Sequence, residues 1–178
     1  ALALLPLQFR PKAKPNADRF FQKLRDGGRV ALKTPIIFTA LCVVALNSFF
    51  VRGVLEIQPA IVGQILGGDS QALATATAAA GVGSLLASIW IGLGRLSPDF
   101  IRRCLWPMMA SGLFVTACLN ATESLLPMSL IFIFAGFTAT VTGIGAQTLI
   151  QLDVNESYRA RVMTWWSSVS FGSLTVGG

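Results

Sequence analysis

The chain has 178 residues, of which 53% are hydrophobic and only 12% are charged, and its net charge is +6. An ordinary soluble domain carries about 25% charged residues, so a chain with so few cannot cover a water-exposed surface. The composition therefore predicts an integral membrane protein. Its apolar stretches are continuous rather than alternating, which favours an all-α bundle of membrane-spanning helices over a β-barrel.

Residue types that the sequence lacks disfavour several function classes. It has no histidine, the usual general base and metal ligand, and its three cysteines are widely spaced. We therefore expect no metal, no cofactor and no enzymatic activity. It has no Gly-x-x-x-x-Gly-Lys-Ser/Thr motif, so ATP is not expected to be its energy source. The positive charge is sorted along the chain by topology, so nucleic acid is not an expected partner.

The N-terminal stretch is predicted to lie outside the main bundle. Residues 1–8 are predicted to be the end of a preceding transmembrane helix, so we expect the chain to be a piece of a longer protein. Residues 9–34 are predicted to be a basic cytoplasmic linker, because their prolines disfavour a helix interior. Within the linker, residues 18–25 predict a short amphipathic helix that Gly27 and Gly28 end. This helix would lie in the headgroup layer or, alternatively, contact only protein.

Residues 35–178 are predicted to form a transmembrane bundle. The apolar stretches that would cross the membrane are about 35–55, 73–93, 105–119, 127–152 and 163–178, the last of them cut off. In the second stretch, Ala76, Ala80, Ser84 and Ser88 follow one another at a spacing of four residues. Small residues at this spacing are typical of helices whose backbones approach closely in a membrane, so we expect this helix to pack tightly against a neighbour.

The distribution of positive charge predicts the orientation of the bundle. Every Lys and Arg except Arg52 lies before the first span, or in the connections that follow the second and fourth spans. The other two connections contain none. Basic connections stay in the cytoplasm, and tryptophans concentrate at membrane interfaces. The four tryptophans fall at the ends of spans that this rule assigns to the cytoplasm, at positions 90, 106, 165 and 166.

Four stretches of the sequence together carry a family resemblance. They are the basic lead-in 28–35, the segment 49–56 with Pro59 and Gly67-Gly68, the small-residue segment 79–85, and the junction 147–152 with 158–163. In this order they resemble the C-terminal half of a major facilitator superfamily transporter, in the branch that includes the enterobactin exporter and macrolide efflux pumps. Two departures stand out: Ala160 replaces a glycine of the junction, and residues 92–103 match the family's Gly-x-x-x-Asp-Arg loop only loosely.

The resemblance implies a fold and a function. The spans would be helices seven to ten and the start of helix eleven, with the seventh and tenth lining a central cavity. The protein would be a secondary active transporter, an exporter of a small amphipathic molecule such as a drug or siderophore, working by alternating access in the bacterial cytoplasmic membrane. Its partners would be the lipid bilayer, the substrate and the N-terminal half. The alternative is a non-transporting scaffold or assembly subunit of a membrane complex.

Arg52 is the sharpest candidate for the substrate cavity. An arginine within a span costs several kcal/mol unless it pairs, faces water or reaches the interface. Glu56 lies four residues further on, so an ion pair is available. Arg52 would bind an anionic substrate group or take part in proton coupling, or it would serve as a structural latch near the outer surface. The other cavity candidates are Asn47, Thr138, Thr142 and Gln147, although threonine in a span often bonds only its own backbone.

A cytoplasmic gate is the second candidate site. Its members would be Arg95, Asp99, Arg159 and Arg161, which lie in the two basic connections of the bundle. In a transporter, such residues would pair with the N-terminal half when the cytoplasmic side closes. The simpler alternative is that they form solvated cytoplasmic loops.

Overall fold

The computed structural model describes residues 17–67, 70–94, 98–122 and 124–177, and these residues are almost entirely helical. The predicted all-α class is therefore confirmed for this part of the chain. The helices are α1 (Ala17–Lys33), α2 (Pro35–Leu46), α3 (Gly53–Glu56), α4 (Gln58–Leu66), α5 (Ser70–Leu93), α6 (Pro98–Ala117), α7 (Leu125–Asp153) and α8 (Glu156–Gly177). A π-helical segment, Asn47–Arg52, joins α2 to α3, and a short 3-10 turn, Cys118–Ala121, follows α6.

Three helical stretches in the described part of the chain are long and apolar enough to cross a membrane. They are Pro35–Glu56, which we call the first span, together with α5 and α7. The predicted span near 105–119 is also helical, in α6 and the 3-10 turn that follows it, and the described residues of the predicted span 163–178 lie within α8. Both of these helices begin with charged turns that lower their apolar character, and their crossing of a membrane stays a prediction.

The 29-residue α7 is the helix around which the bundle is built, since it contacts α5, α6, α8 and the first span. One apolar core lies between the start of the first span and the end of α7, where Ile37 and Val44 pack with Ile150. A second core lies towards the start of α7, where Met128 and Phe132 pack against α4 and α5. These pairings show that the first span runs antiparallel to α7, whereas α5 runs parallel to it.

The interface between α5 and α7 has the close packing that the small residues predicted. A Cβ atom added at Gly83 would meet the carbonyl of Ile133, and one added at Gly136 would meet the carbonyl of Ala80. The Ser84 hydroxyl donates a hydrogen bond to the Gly136 carbonyl at 3.3 Å. The backbones of α5 and α7 are therefore in direct contact, and no side chain fits between them at these two glycines.

The predicted face of α5 needs correction. The buried positions are Ala72, Ala76, Ala79, Gly83 and Ala87. The predicted residue Ser88 is exposed, and its hydroxyl bonds its own helix. An α-helix has 3.6 residues per turn, so a strict spacing of four rotates by about 40° per step and leaves the interface. The buried residues instead follow one another at steps of four, three, four and four residues.

The linker helix is also longer than predicted. Gly27 and Gly28 do not end it, because α1 continues to Lys33. A Cβ atom added at Gly27 would lie 2.9 Å from the Cβ of Arg161, and one at Gly28 would lie 3.0 Å from the Trp165 ring. The two glycines therefore allow α8 to approach α1 rather than stopping the helix. The predicted features of residues 1–16 lie outside the described residues.

Candidate functional site

The first span changes its winding at the level of the candidate residues. Asn47–Arg52 forms a π-helix, a rare and wider turn that is found disproportionately at functional sites. Asn47 and Ser48 are buried there, and the Ser48 hydroxyl lies 3.4 Å from the hydroxyl of Ser170 on α8. Sequence reasoning missed this segment because it contains no proline or glycine that would mark an irregular helix.

Next to the π-helical segment lies a cavity of about 390 Å³, which we call the polar cavity. Four helical stretches contribute to it: the first span, α5, α7 and α8. Its lining residues are Arg52, Leu55, Glu56, Ser84, Ala139, Thr140, Gly143, Ile144, Gln147 and Trp166. Three of the six predicted cavity residues, Arg52, Glu56 and Gln147, are therefore brought to one cavity although Gln147 is distant from the others in the sequence.

Arg52 and Glu56 do not form the available ion pair. Among the described residues, no Arg52 nitrogen lies within 4.0 Å of a Glu56 oxygen. Arg52 is half-buried against the cavity, whereas Glu56 is exposed at the last residue of α3, where the chain turns at Ile57. The cavity consequently offers one cationic and one anionic group separately.

The other three predicted cavity residues lie inside helix interfaces. Thr138 is fully buried, and its hydroxyl donates to the carbonyls of Phe134 at 3.0 Å and Ala135 at 3.1 Å. This agrees with the alternative in which the threonine bonds its own backbone. Its hydroxyl also faces Gly112 of α6. Thr138 is therefore a packing residue of the interface between α6 and α7.

Asn47 and Thr142 are buried polar residues, and each has a side-chain oxygen that lacks a hydrogen bond among the described residues. The Oδ1 atom of Asn47 and the Oγ1 atom of Thr142 have no hydrogen-bond partner among the described residues. Val51 packs with Ala139 on α7, and the helices are antiparallel, so Asn47 lies near the level of Thr142. An unpaired buried polar atom costs about 1–3 kcal/mol. This interface is therefore less completely satisfied than the one between α5 and α7.

Trp166 is a cavity residue that the sequence analysis assigned to an interfacial belt. Its ring lines the polar cavity, and its Nε1 atom is buried without a hydrogen-bond partner among the described residues. Neighbouring residues on a helix point about 100° apart. Trp165 accordingly packs on Gly28 while Trp166 turns towards the bundle interior. Only the relative placement of α1 and α8 distinguishes the two, and adjacent tryptophans alone carry no such signal.

The predicted gate residues are not brought together in the part of the chain that the structure describes. Arg161 lies over the Tyr158 ring at 5.3 Å and packs against Gly27. Arg159 is exposed on α8, and Asp99 is exposed in the first turn of α6. Arg95 lies outside the described residues. Arg161 therefore has a structural role in joining α8 to α1, and a gating role for the set stays a prediction.

The remaining chemistry and the comparisons with known proteins add no identification. Among the described residues, no group of three or more Cys, Asp and Glu side chains is placed to hold a metal ion. No protein-family model, curated protein or solved structure matches the chain.

Proposed function

We propose that this protein is a secondary active transporter that exports a small amphipathic molecule, and that the polar cavity is its substrate site. The observation that carries the proposal is the meeting of Arg52, Glu56 and Gln147 in one cavity of an otherwise apolar bundle. Ionisable side chains within membrane spans are costly, so they are retained where they face water, a partner or a ligand. Their convergence on a cavity favours a ligand.

The size and lining of the polar cavity support a small amphipathic substrate. Its volume of about 390 Å³ falls within the range of roughly 300–1,000 Å³ that small-molecule sites occupy. Arg52 and Gln147 supply hydrogen-bond donors, whereas Leu55, Ile144 and the Trp166 ring supply apolar surface. A molecule with one anionic or carbonyl-bearing end and one apolar end satisfies both parts of this lining.

The helices that form the cavity also support transport by alternating access. The polar cavity is bounded by several separate helices and remains open on one side, as a site between two halves of a transporter would be. The π-helical segment lies in its wall and gives the first span a place to bend. Glu56 supplies a carboxyl group for proton-coupled exchange. The resemblance to the major facilitator superfamily leads to the same proposal and adds a bacterial cytoplasmic membrane location.

Accumulation of fluorescent amphipathic dyes in cells that lack their own exporters tests the proposal. We expect the wild-type protein to lower the accumulation of at least one dye, and Arg52→Gln and Gln147→Ala to remove most of this effect while protein levels are unchanged. Arg102→Gln is the matched control, because Arg102 is exposed on α6, outside the cavity and outside the predicted gate. If Arg52→Gln exports every transported dye as well as the wild type does, the polar cavity is not the site. If the wild-type protein exports no dye or candidate metabolite, the scaffold alternative is favoured.

A further inference from the structure

A second cavity lies beside α2, the first half of the first span, and has a different character. It is a groove of about 500 Å³ between α1, α2 and α8, which we call the linker groove. Its walls are apolar: Phe38, Leu41 and Ala45 lie along α2, and Trp165 and Val169 lie along α8. None of these residues belongs to the polar cavity, so the two sites are separate.

Two arginines lie at one end of the linker groove. Arg25 and Arg29 are exposed, one turn apart on α1, and both line the groove. Lys33 follows one further turn along the same face of α1 and is also exposed. The charged groups that line the groove are therefore all cationic. Asp26, three residues before Arg29 on α1, does not line the groove.

The apolar part of the linker groove is open rather than sealed. Phe38 is 46% exposed and Leu32, at the rim, is 69% exposed, although both belong to apolar stretches. In a membrane, such an open apolar groove is filled by an acyl chain at little cost. Basic pockets between helices near the cytoplasmic surface recognise anionic lipid headgroups. The groove combines both features end to end, over a length that begins at α1 and continues along α2.

We propose that the linker groove binds an anionic phospholipid. The lipid phosphate lies between Arg25 and Arg29, and one acyl chain extends past Phe38 towards Ala45. A neutral phospholipid would leave the paired arginines without a net countercharge. A free phosphate ion would leave the apolar groove unfilled. Such a lipid connects α1 to both α2 and α8, and so it stabilises the packing of the linker helix on the bundle.

Tryptophan quenching measures this binding on the purified full-length protein in a neutral detergent. The probe is phosphatidylglycerol with bromine atoms on its acyl chains, because bromine quenches a nearby indole. We expect saturable quenching that Trp165→Phe largely removes. Trp106→Phe is the matched control, because Trp106 lies on α6 outside the groove, and this variant keeps the quenching. If Trp165→Phe does not fold, native mass spectrometry of the wild-type protein with phosphatidylglycerol measures the binding instead.

Charge variants decide whether recognition is specific for an anionic lipid. One cation near a membrane surface is worth about 1 kcal/mol, so each arginine corresponds to about a fivefold change in affinity. We expect Arg25→Gln with Arg29→Gln to weaken phosphatidylglycerol binding by about tenfold to thirtyfold, and Arg159→Gln to leave it unchanged. Brominated phosphatidylcholine should bind the wild-type protein about as weakly as phosphatidylglycerol binds the double arginine variant. Equal binding of both lipids, unaffected by the arginine variants, would overturn the proposal, as would the lack of saturable binding at Trp165. The latter result would indicate that another part of the protein or a second copy covers the groove.

Discussion

The helix α7 packs against α5 on one side and against the first span on another, and the two interfaces differ in chemistry. Against α5, small residues bring the backbones together, with Gly83 at the Ile133 carbonyl and Ser84 bonded to Gly136. Against the first span, the Asn47 Oδ1 and Thr142 Oγ1 atoms are buried without a hydrogen-bond partner among the described residues, and the polar cavity opens nearby. One interface has no room for an extra carbon atom, whereas the other contains space and unsatisfied groups.

This difference separates a rigid part of the bundle from a part that can change. Close contact of two backbones leaves a helix pair with a single arrangement, since any shift produces overlap. We expect the π-helical segment and the unpaired polar atoms to let the first span change its arrangement more easily than α5. In the proposed transporter, α5 and α7 would move as one body while the first span bends beside the cavity. The following predictions test each side of this contrast, beginning with the largest effect.

Gly83→Leu should be the most damaging of these changes. A side chain at this position has no space because the Ile133 carbonyl already occupies it. Overpacking of this kind costs about 1–3 kcal/mol and sometimes more, and we expect at least about 3 kcal/mol here. Thermal unfolding in detergent and the folded yield in size-exclusion chromatography measure the effect. Gly81→Leu is the matched control, because a Cβ atom at Gly81 meets nothing within 4 Å. Equal stability of the two variants would contradict the rigid interface.

The contact between Ser48 and Ser170 should contribute a smaller amount on the flexible side. The two hydroxyls are 3.4 Å apart and link the π-helical segment to α8. Hydrogen bonds between membrane helices average about 0.6 kcal/mol, so we expect a coupling energy of about that size in a double-mutant cycle. Ser48→Ala, Ser170→Ala and the double variant provide the cycle by thermal unfolding. A coupling energy near zero would show that the first span and α8 are not joined through these hydroxyls.

Thr142→Val should have the smallest effect and can even stabilise the fold. The Thr142 hydroxyl is buried without a partner among the described residues, so its loss removes an unsatisfied group from the interface. We expect no loss of stability, and a gain of up to about 1 kcal/mol. Thr138→Val is the matched control, since its hydroxyl bonds the Phe134 carbonyl and its loss should be mildly destabilising. A larger loss at Thr142 than at Thr138 would indicate that the Thr142 hydroxyl has a partner in the membrane.

Much of the fold is predictable from the sequence because local chemistry determines it. Length and composition are enough to identify the apolar stretches that form the first span, α5 and α7. Gly27 and Gly28, in contrast, have two possible uses, as a helix stop or as a close contact. Only the approach of α8 to α1 decides between these uses. Local pattern predicts helices well, and it fails where a residue's role depends on a distant neighbour.

The candidate site shows the same division. Arg52 and Glu56 stand out in the sequence because charge is rare in an apolar span, and Gln147 stands out for a similar reason. Trp166 and the π-helical segment carry no such mark, since their significance comes from the helices around them. Asn47 and Thr142 also stand out as polar, but the sequence does not distinguish burial between helices from exposure to a cavity.

Substrate protection of a cysteine at Gly143 tests the central proposal, that the polar cavity is the transport site, most directly. Gly143 lines the cavity, and a Cβ atom there meets nothing within 4 Å, so Gly143→Cys should fold normally. The three native cysteines, at positions 42, 104 and 118, are first replaced by alanine. The rate of labelling by a small thiol reagent is then measured with and without a transported dye, using Gly172→Cys as the control site outside the cavity. We expect the dye to slow labelling at position 143 and not at 172, and Arg52→Gln to abolish this protection. Unchanged labelling at position 143 in a protein that transports the dye would contradict the proposed site.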